Sequence, residues 1–307
     1  MIHIPENLMG DTKEIMANSR QIVAIRKNPL LVLDLKEVNK QATLQLNDLL
    51  RGRCFEVLDV ILQTPGGDID AAFVIAKILR KRASQLNIIV PLYAKSAGTL
   101  ICLAADNLFM NDLSELGPLD SQIPEVRDGG APEYISALNG FKALEQVQLH
   151  TIETLDITTK LLLERSQMKI PEAVHLASEF SGKTSGTLYS RLDPAKIGEY
   201  ARALEIGERY GKLILTRYMN WPVEKADRTI KTLVKQYPSH GFVIDAEELA
   251  SLGLPAQEME KELVEIIPLM RKNLLLNEET VIELVEQQST PLGETLAKEG
   301  NPTEKTK

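Results

Sequence analysis

The chain has 307 residues, 44% hydrophobic and 25% charged, which is enough to bury a large core and excludes a disordered or fibrous protein. A formal net charge of -8, with basic residues scattered apart from Arg80 to Arg82, argues against nucleic acid as a partner. No apolar run approaches the roughly 18 residues of a membrane span, no basic-then-apolar leader opens the chain, and Ile2 stands where myristoylation needs glycine, so the expected compartment is the cytoplasm.

In chain order, β-rich runs fall near residues 28 to 35, 56 to 62, 87 to 93 and 107 to 110. Between the second and third, Asp68 to Ala83 sets Ile69, Ala72, Phe73, Ala76 and Leu79 on one helical face. Near-continuous apolar strands alternating with such helices predict an α/β fold with a mostly parallel sheet covered on both sides. Cys54 and Cys102 lie in or beside apolar segments and read as reduced core thiols. From Pro132 the pattern turns helical over 132–168, 171–180, 194–219 and 222–235, each with proline at or near its start, which predicts an arm or cap. The segment 242–254 reads as a last strand and a glycine-closed helix, N-L-L-L-N-E-E-T-V-I-E-L-V-E-Q-Q as a capped amphipathic helix, and the polar end as a disordered tail. The expected organisation is one domain over 1–270 with the helical region 132–235 inserted in it, then a C-terminal helix and tail over 271–307.

Two strand-to-helix turns carry the chemistry. T-P-G-G-D, residues 64 to 68, follows the second strand, and K-S-A-G-T, residues 95 to 99, follows the third. In a parallel sheet both turns lie at the carboxyl edge, where ligand crevices form. Ser96 at a helix start is either an N-cap or a nucleophile favoured by the unpaired amides there. Glycine lets backbone approach a substrate closely, so the N–H of Gly66 or Gly67 with that of Ala97 would make a two-donor oxyanion hole. No G-x-G-x-x-G or complete Walker motif occurs; the G-K-T at Gly182 to Thr184 has Ala177 where the earlier glycine belongs. Asp68 and Asp70 read as helix caps, His150 and His175 as structural residues of helices, and Trp221 and Tyr218 as packing at a helix junction. Arg191 is a candidate to grip a substrate or a neighbouring subunit, in a small-residue loop that is either a lid or a linker. No cofactor and no metal are expected.

Strand, x-P-G-G-D, helix, strand, x-S-A-G-T, helix and L-G-P-L-D together resemble the serine peptidases of the Clp/crotonase superfamily, above all the serine dehydrogenase proteinase family, related to signal peptide peptidase A and the Clp protease subunit. The resemblance covers roughly residues 20 to 270 and implies repeated β-β-α units, peptide hydrolysis with Ser96 as nucleophile, Gly66 or Gly67 with Ala97 as oxyanion donors, a peptide or protein substrate and a homo-oligomer. The base departs from the Clp pattern: Asp120 in L-G-P-L-D stands where that pattern has histidine, and His240 in P-S-H-G-F near where it has aspartate. An exchanged pair works if His240 reaches the serine and Asp120 orients it; in a serine-lysine dyad, as in signal peptide peptidases, Lys142 would be the base. A crotonase-like acyl-CoA enzyme and a non-catalytic assembly protein of the same fold are the alternatives.

Overall fold

The computed structural model describes residues 10–119, 122–125 and 133–287. Its main sheet is built from Leu30–Asp34 (β1), Phe55–Gln63 (β2), Ala83–Ile89 (β3), Asn107–Met110 (β5), Ala256–Glu258 (β9) and Val281–Val285 (β10). Their order is β10-β1-β2-β3-β5-β9, and every neighbouring pair is parallel except β10 on β1. Side chains alternate across each strand, and here both faces are apolar. Leu31, Leu33, Val60, Leu62 and Ile88 enter one core, while Leu30, Val32, Ile61, Ile89 and Phe109 enter the other. The fold is therefore a mixed α/β structure with a mostly parallel sheet buried on both sides, as the continuous apolar runs predicted.

Lys40–Leu49 (α2), Ile69–Arg82 (α3) and Ala97–Cys102 (α4) cover the first face; Thr12–Arg26 (α1) and Lys261–Leu276 (α10) cover the second. Above the carboxyl edge runs a second layer of extended chain. Tyr93–Ala94 (β4) pairs Glu115–Leu116 (β6), and single bridges join Val38 to Gly67, Thr64 to Ala94 and Leu116 to Ile244. Long strand, short strand or bridge, and helix thus recur as β-β-α units, and the short members adjoin the glycine- and serine-bearing turns.

The second half holds a hairpin, Gln122–Glu125 (β7) and Glu133–Ser136 (β8), then Ala137–Arg165 (α5), Ile170–Tyr189 (α6), Pro194–Leu213 (α7), Val223–Lys231 (α8) and Ala246–Ser251 (α9). α5 and α6 form a two-helix arm. Ala173, Ala177, Ser181 and Ser185 recur every fourth residue along α6 and are buried, so the helices approach closely, and the Ser181 hydroxyl donates to Thr151 O at 2.8 Å. Ile152, Ile157, Ile170 and Phe180 remain exposed on this arm.

Several expectations are corrected. The first long helix starts at Ala137, because residues 133–136 pair with β7. The small-residue stretch S-G-K-T-S-G-T-L-Y is no lid or linker but the second half of α6, where its serines fill the narrow seam. α7 and α8 each end in a π-helical turn, Ile214–Tyr218 and Thr232–Gln236. Of the expected strand in 242–254 only the Ile244 bridge forms; α9 follows and Gly253 closes it at φ 79°. The expected amphipathic helix at the C-terminal end is instead the end of α10 and strand β10, whose β-branched Val281 and Ile282 suit the sheet edge and whose Val281 and Val285 are buried. The polar tail lies outside the described residues. Cys54 is exposed and only Cys102 is a core thiol, its pKa pushed up by burial. His150 and His175 sit on solvent-facing positions of the arm and pack into no core.

Candidate active site

The Gly-Gly turn is fixed by the residue types that form it. Gly66 and Gly67 take φ of 122° and 141°, values an L side chain rarely adopts. A Cβ on Gly67 would stand 2.4 Å from Val38 O and 2.7 Å from Val38 N, so no other residue lets the chain lie against the strand extension at Val38. Val38 holds it there: its N–H donates to Gly66 O at 2.8 Å and its carbonyl accepts Asp68 N–H at 2.7 Å. Asp68 then caps α3, with Oδ1 accepting from Asp70 N at 2.8 Å and Ala71 N at 3.3 Å. Asp70 accepts the Tyr210 hydroxyl at 2.7 Å, and Tyr210 stacks on Phe73 at 4.4 Å, which fastens α7 to the start of α3.

Ser96 opens α4 at φ 48°, ψ -109°, a strained region for serine that costs about 1–3 kcal/mol. Its side chain makes no capping bond to α4, so the N-cap reading is set aside. Thr99, fully buried one turn on, sustains the strain: its hydroxyl donates to Ala94 O at 2.9 Å, lies 2.8 Å from Gly117 O and accepts Gly117 N–H at 3.2 Å. This ties the serine turn to the L-G-P-L segment. The two turns meet, since a Cβ on Gly66 would lie 3.2 Å from both Lys95 O and Ser96 Cβ. Lys95 itself points to Glu115, 3.0 Å away.

Amide directions separate the two glycines. The Gly66 N–H donates to Thr64 Oγ1 at 3.2 Å, whereas the N–H groups of Gly67 and Ala97 donate to no group among the described residues. A cleft of about 630 Å³ opens here, lined by Pro65, Gly66, Gly67 and Asp68 from one turn, Ser96 from the other, Lys36 and Glu37 beyond β1, and His240. The structure therefore brings Ser96, Gly66, Gly67 and His240 together.

His240 arrives on a loop pinned at both ends. Tyr237, stacked on Phe242 at 4.9 Å and bonded through its hydroxyl to Glu248 at 2.9 Å, anchors the start, and Ile244 exchanges two backbone bonds with Leu116 at the other end. Lys142 braces the same loop: Nζ donates to Tyr237 O at 2.6 Å, and the side chain does not line the cleft. Asp120 lies outside the described residues; the preceding Leu119 donates its N–H to Leu233 O at 2.8 Å. Arg191 stands at the base of the arm, beside Asp193 and Tyr200, and not at this cleft. Trp221 packs against the core with Lys225 Nζ 3.6 Å above its ring. Among the described residues no group of three or more His, Cys, Asp or Glu side chains has metal-binding geometry, and no helix is long and apolar enough to cross a membrane.

Residue-by-residue reading of the sequence passed over Lys36, Glu37, Val38 and Thr99. The first three follow β1 after Leu35, at the same carboxyl edge that located the glycines, and that position was the available signal. Lys36 Nζ donates to both carboxylate oxygens of Asp34 at 2.9 Å and to Leu274 O at 3.2 Å. Burial pushes the Asp34 carboxyl up, against the opposing pull of Lys36.

Comparison with known proteins gives residues 54–171 a match to the family described as ClpP-like SDH-type serine proteinase. Two uncharacterized proteins of Methanocaldococcus jannaschii are similar: one is 38% identical over 105 residues, 34% of this chain and 35% of the relative, the other 32% identical over 136 residues, 42% and 45%. The chain thus spans under half the length of these curated relatives. Among solved structures, a mutant of the 1510-N membrane-bound stomatin-specific protease aligns at TM-score 0.41 and 13% identity over 76% of this chain and 79% of that one. The ClpP protease catalytic domain from Plasmodium falciparum aligns at 0.39 and 12% over 85% and 96%.

Proposed function

We propose, from the match of residues 54–171 to the ClpP-like SDH-type serine proteinases, that this chain is a serine peptidase hydrolysing peptide bonds of protein or peptide substrates through an acyl-enzyme on Ser96. The observation that carries the proposal is the strained Ser96, not engaged as a cap, on one cleft with His240 and the Gly-Gly turn. His240 takes the hydroxyl proton as Ser96 Oγ attacks the carbonyl carbon. The N–H groups of Gly67 and Ala97 receive the oxyanion, which favours Gly67 over Gly66 because the latter's amide is committed to Thr64. The imidazolium then protonates the leaving amine, and water activated by the same nitrogen hydrolyses the ester. Asp120 is assigned the orienting carboxylate, as the resemblance implies. Lys142 is given the part of a strut for the His240 loop in place of the alternative base.

The domain over 1–270, its inserted helical region 132–235, assembly as a homo-oligomer and a cytoplasmic site of action belong to the same proposal. The exposed apolar side chains on α5 and α6 support assembly through the arm. Labelling by a fluorophosphonate probe tests the reading. Native protein is expected to label, and Ser96→Ala and His240→Gln to lose the label, while Lys142→Met retains it at a reduced rate. Labelling that survives Ser96→Ala, or none in the native protein together with no peptide hydrolysis, sinks the proposal. Loss in Lys142→Met with retention in His240→Gln reverses the assignment of the base.

A further inference from the structure

Resting on the peptidase reading, we infer that Glu37 selects substrates carrying a cationic side chain close to the scissile bond. Four side chains able to carry charge line the cleft: Lys36, Glu37, Asp68 and His240. Lys36 is committed within the fold, since its three N–H donors are taken by the two oxygens of buried Asp34 and by Leu274 O. Its charge is matched by Asp34, and no donor is left for a ligand. Lys95, the cation next to Ser96 in sequence, is held in the same way by Glu115. Asp68 keeps its carboxylate at the cleft while one oxygen caps α3.

Glu37 differs from these. It is exposed and forms no ion pair with any described residue. Its Cγ lies 3.0 Å from the position that a Cβ on Gly67 would occupy, so the side chain lies against the residue whose N–H is assigned to the oxyanion, on the same cleft. A peptide with its carbonyl oxygen at Gly67 N–H carries its neighbouring side chains past the Glu37 carboxylate. Lysine or arginine there is attracted and an acidic side chain repelled, and discrimination draws on both effects. For a carboxylate this exposed each pairing changes affinity by about two- to fivefold, so a lysine peptide and a glutamate peptide should differ by about fourfold or more.

The test uses the full chain as Ser96→Ala, so that binding is read without turnover. Fluorescent octapeptides identical except for one Lys, norleucine or Glu, stepped through the central positions, are titrated by anisotropy at low and at physiological salt. Expected is tighter binding of the Lys peptide than of the Glu peptide by about fourfold or more at one position, shrinking with salt. Adding Glu37→Gln should bring the ratio near one, and Glu37→Lys should invert it. A ratio unchanged across the three forms, or no binding of any peptide, overturns the inference. Failure of the native protein to hydrolyse a peptide that its Ser96→Ala form binds counts against the peptidase reading alone.

Discussion

Replacing Thr99 by valine tests how the serine turn is held. Valine has nearly the shape of threonine, so the change opens no cavity and isolates the hydroxyl. That hydroxyl is fully buried, donates to Ala94 O at 2.9 Å and accepts Gly117 N–H at 3.2 Å. Thr99→Val leaves both backbone groups buried without it, at about 1–3 kcal/mol each, so the expected loss is about 2–6 kcal/mol. Thr99→Ser keeps the hydroxyl and gives up a methyl group, a loss of about 1 kcal/mol. Urea unfolding reads the difference as a lower midpoint at unchanged slope. The same bonds join α4 to the L-G-P-L segment, so the valine protein should label with fluorophosphonate at least about tenfold more slowly, as expected when a nucleophile shifts by a fraction of an ångström. The serine protein should stay near the native rate. A valine variant within 1 kcal/mol of native, or one no slower to label than the serine variant, refutes this account of the turn.

Gly67→Ala should cost about 1–3 kcal/mol of backbone strain and as much again from the collision with Val38, and should abolish labelling; Gly52→Ala, whose new Cβ meets nothing within 4 Å at φ 72°, pays only the strain and serves as control. Asp227 is held at about 2, below its ordinary 3.8, by hydrogen bonds from Lys212 and then Lys231. A depressed folded pKa gives a contribution that is full above 3.8 and lost as pH falls towards 2, so between those values the melting temperature of the native protein should fall more steeply than that of Asp227→Asn. The pair is exposed, and added salt should flatten the difference. Iodoacetamide should modify Cys54 alone in the folded chain and Cys102 only after unfolding, because the Cys102 thiol is buried with its pKa raised. Mass spectrometry of the two alkylated peptides checks it, and early modification of Cys102 contradicts the core assignment.

The parts of this molecule legible from sequence are those where a single physical demand chose the residue. Continuous apolar strands such as β1 and β2 announce a sheet buried on both faces, and paired positive-φ glycines announce a backbone approach. α1 escaped notice because Asn18 and Ser19 share its buried side with Ile15, Ile22 and Val23, which breaks the apolar stripe. β10 escaped because V-I-E-L-V satisfies both helical and alternating periods, and only its partner β1 decides between them. At the site, Ser96 and the Gly-Gly turn were legible from chain order. The bracing of the His240 loop by Lys142 was not, since it joins residues 95 positions apart through a backbone carbonyl, and no side-chain pattern records an acceptor of that kind.

The pairing of β1 with β10 bears on how the chain is made. Leu30 faces Val285 and Asp34 faces Val281, so an edge of the first-synthesised strand waits for nearly the last described segment to leave the ribosome. Contacts so distant in sequence slow folding, and an uncovered apolar edge is a site of mispairing while it waits. Growing chains truncated before residue 281 should therefore expose a sheet edge that the finished protein conceals, and holdase capture should peak in that late interval of translation.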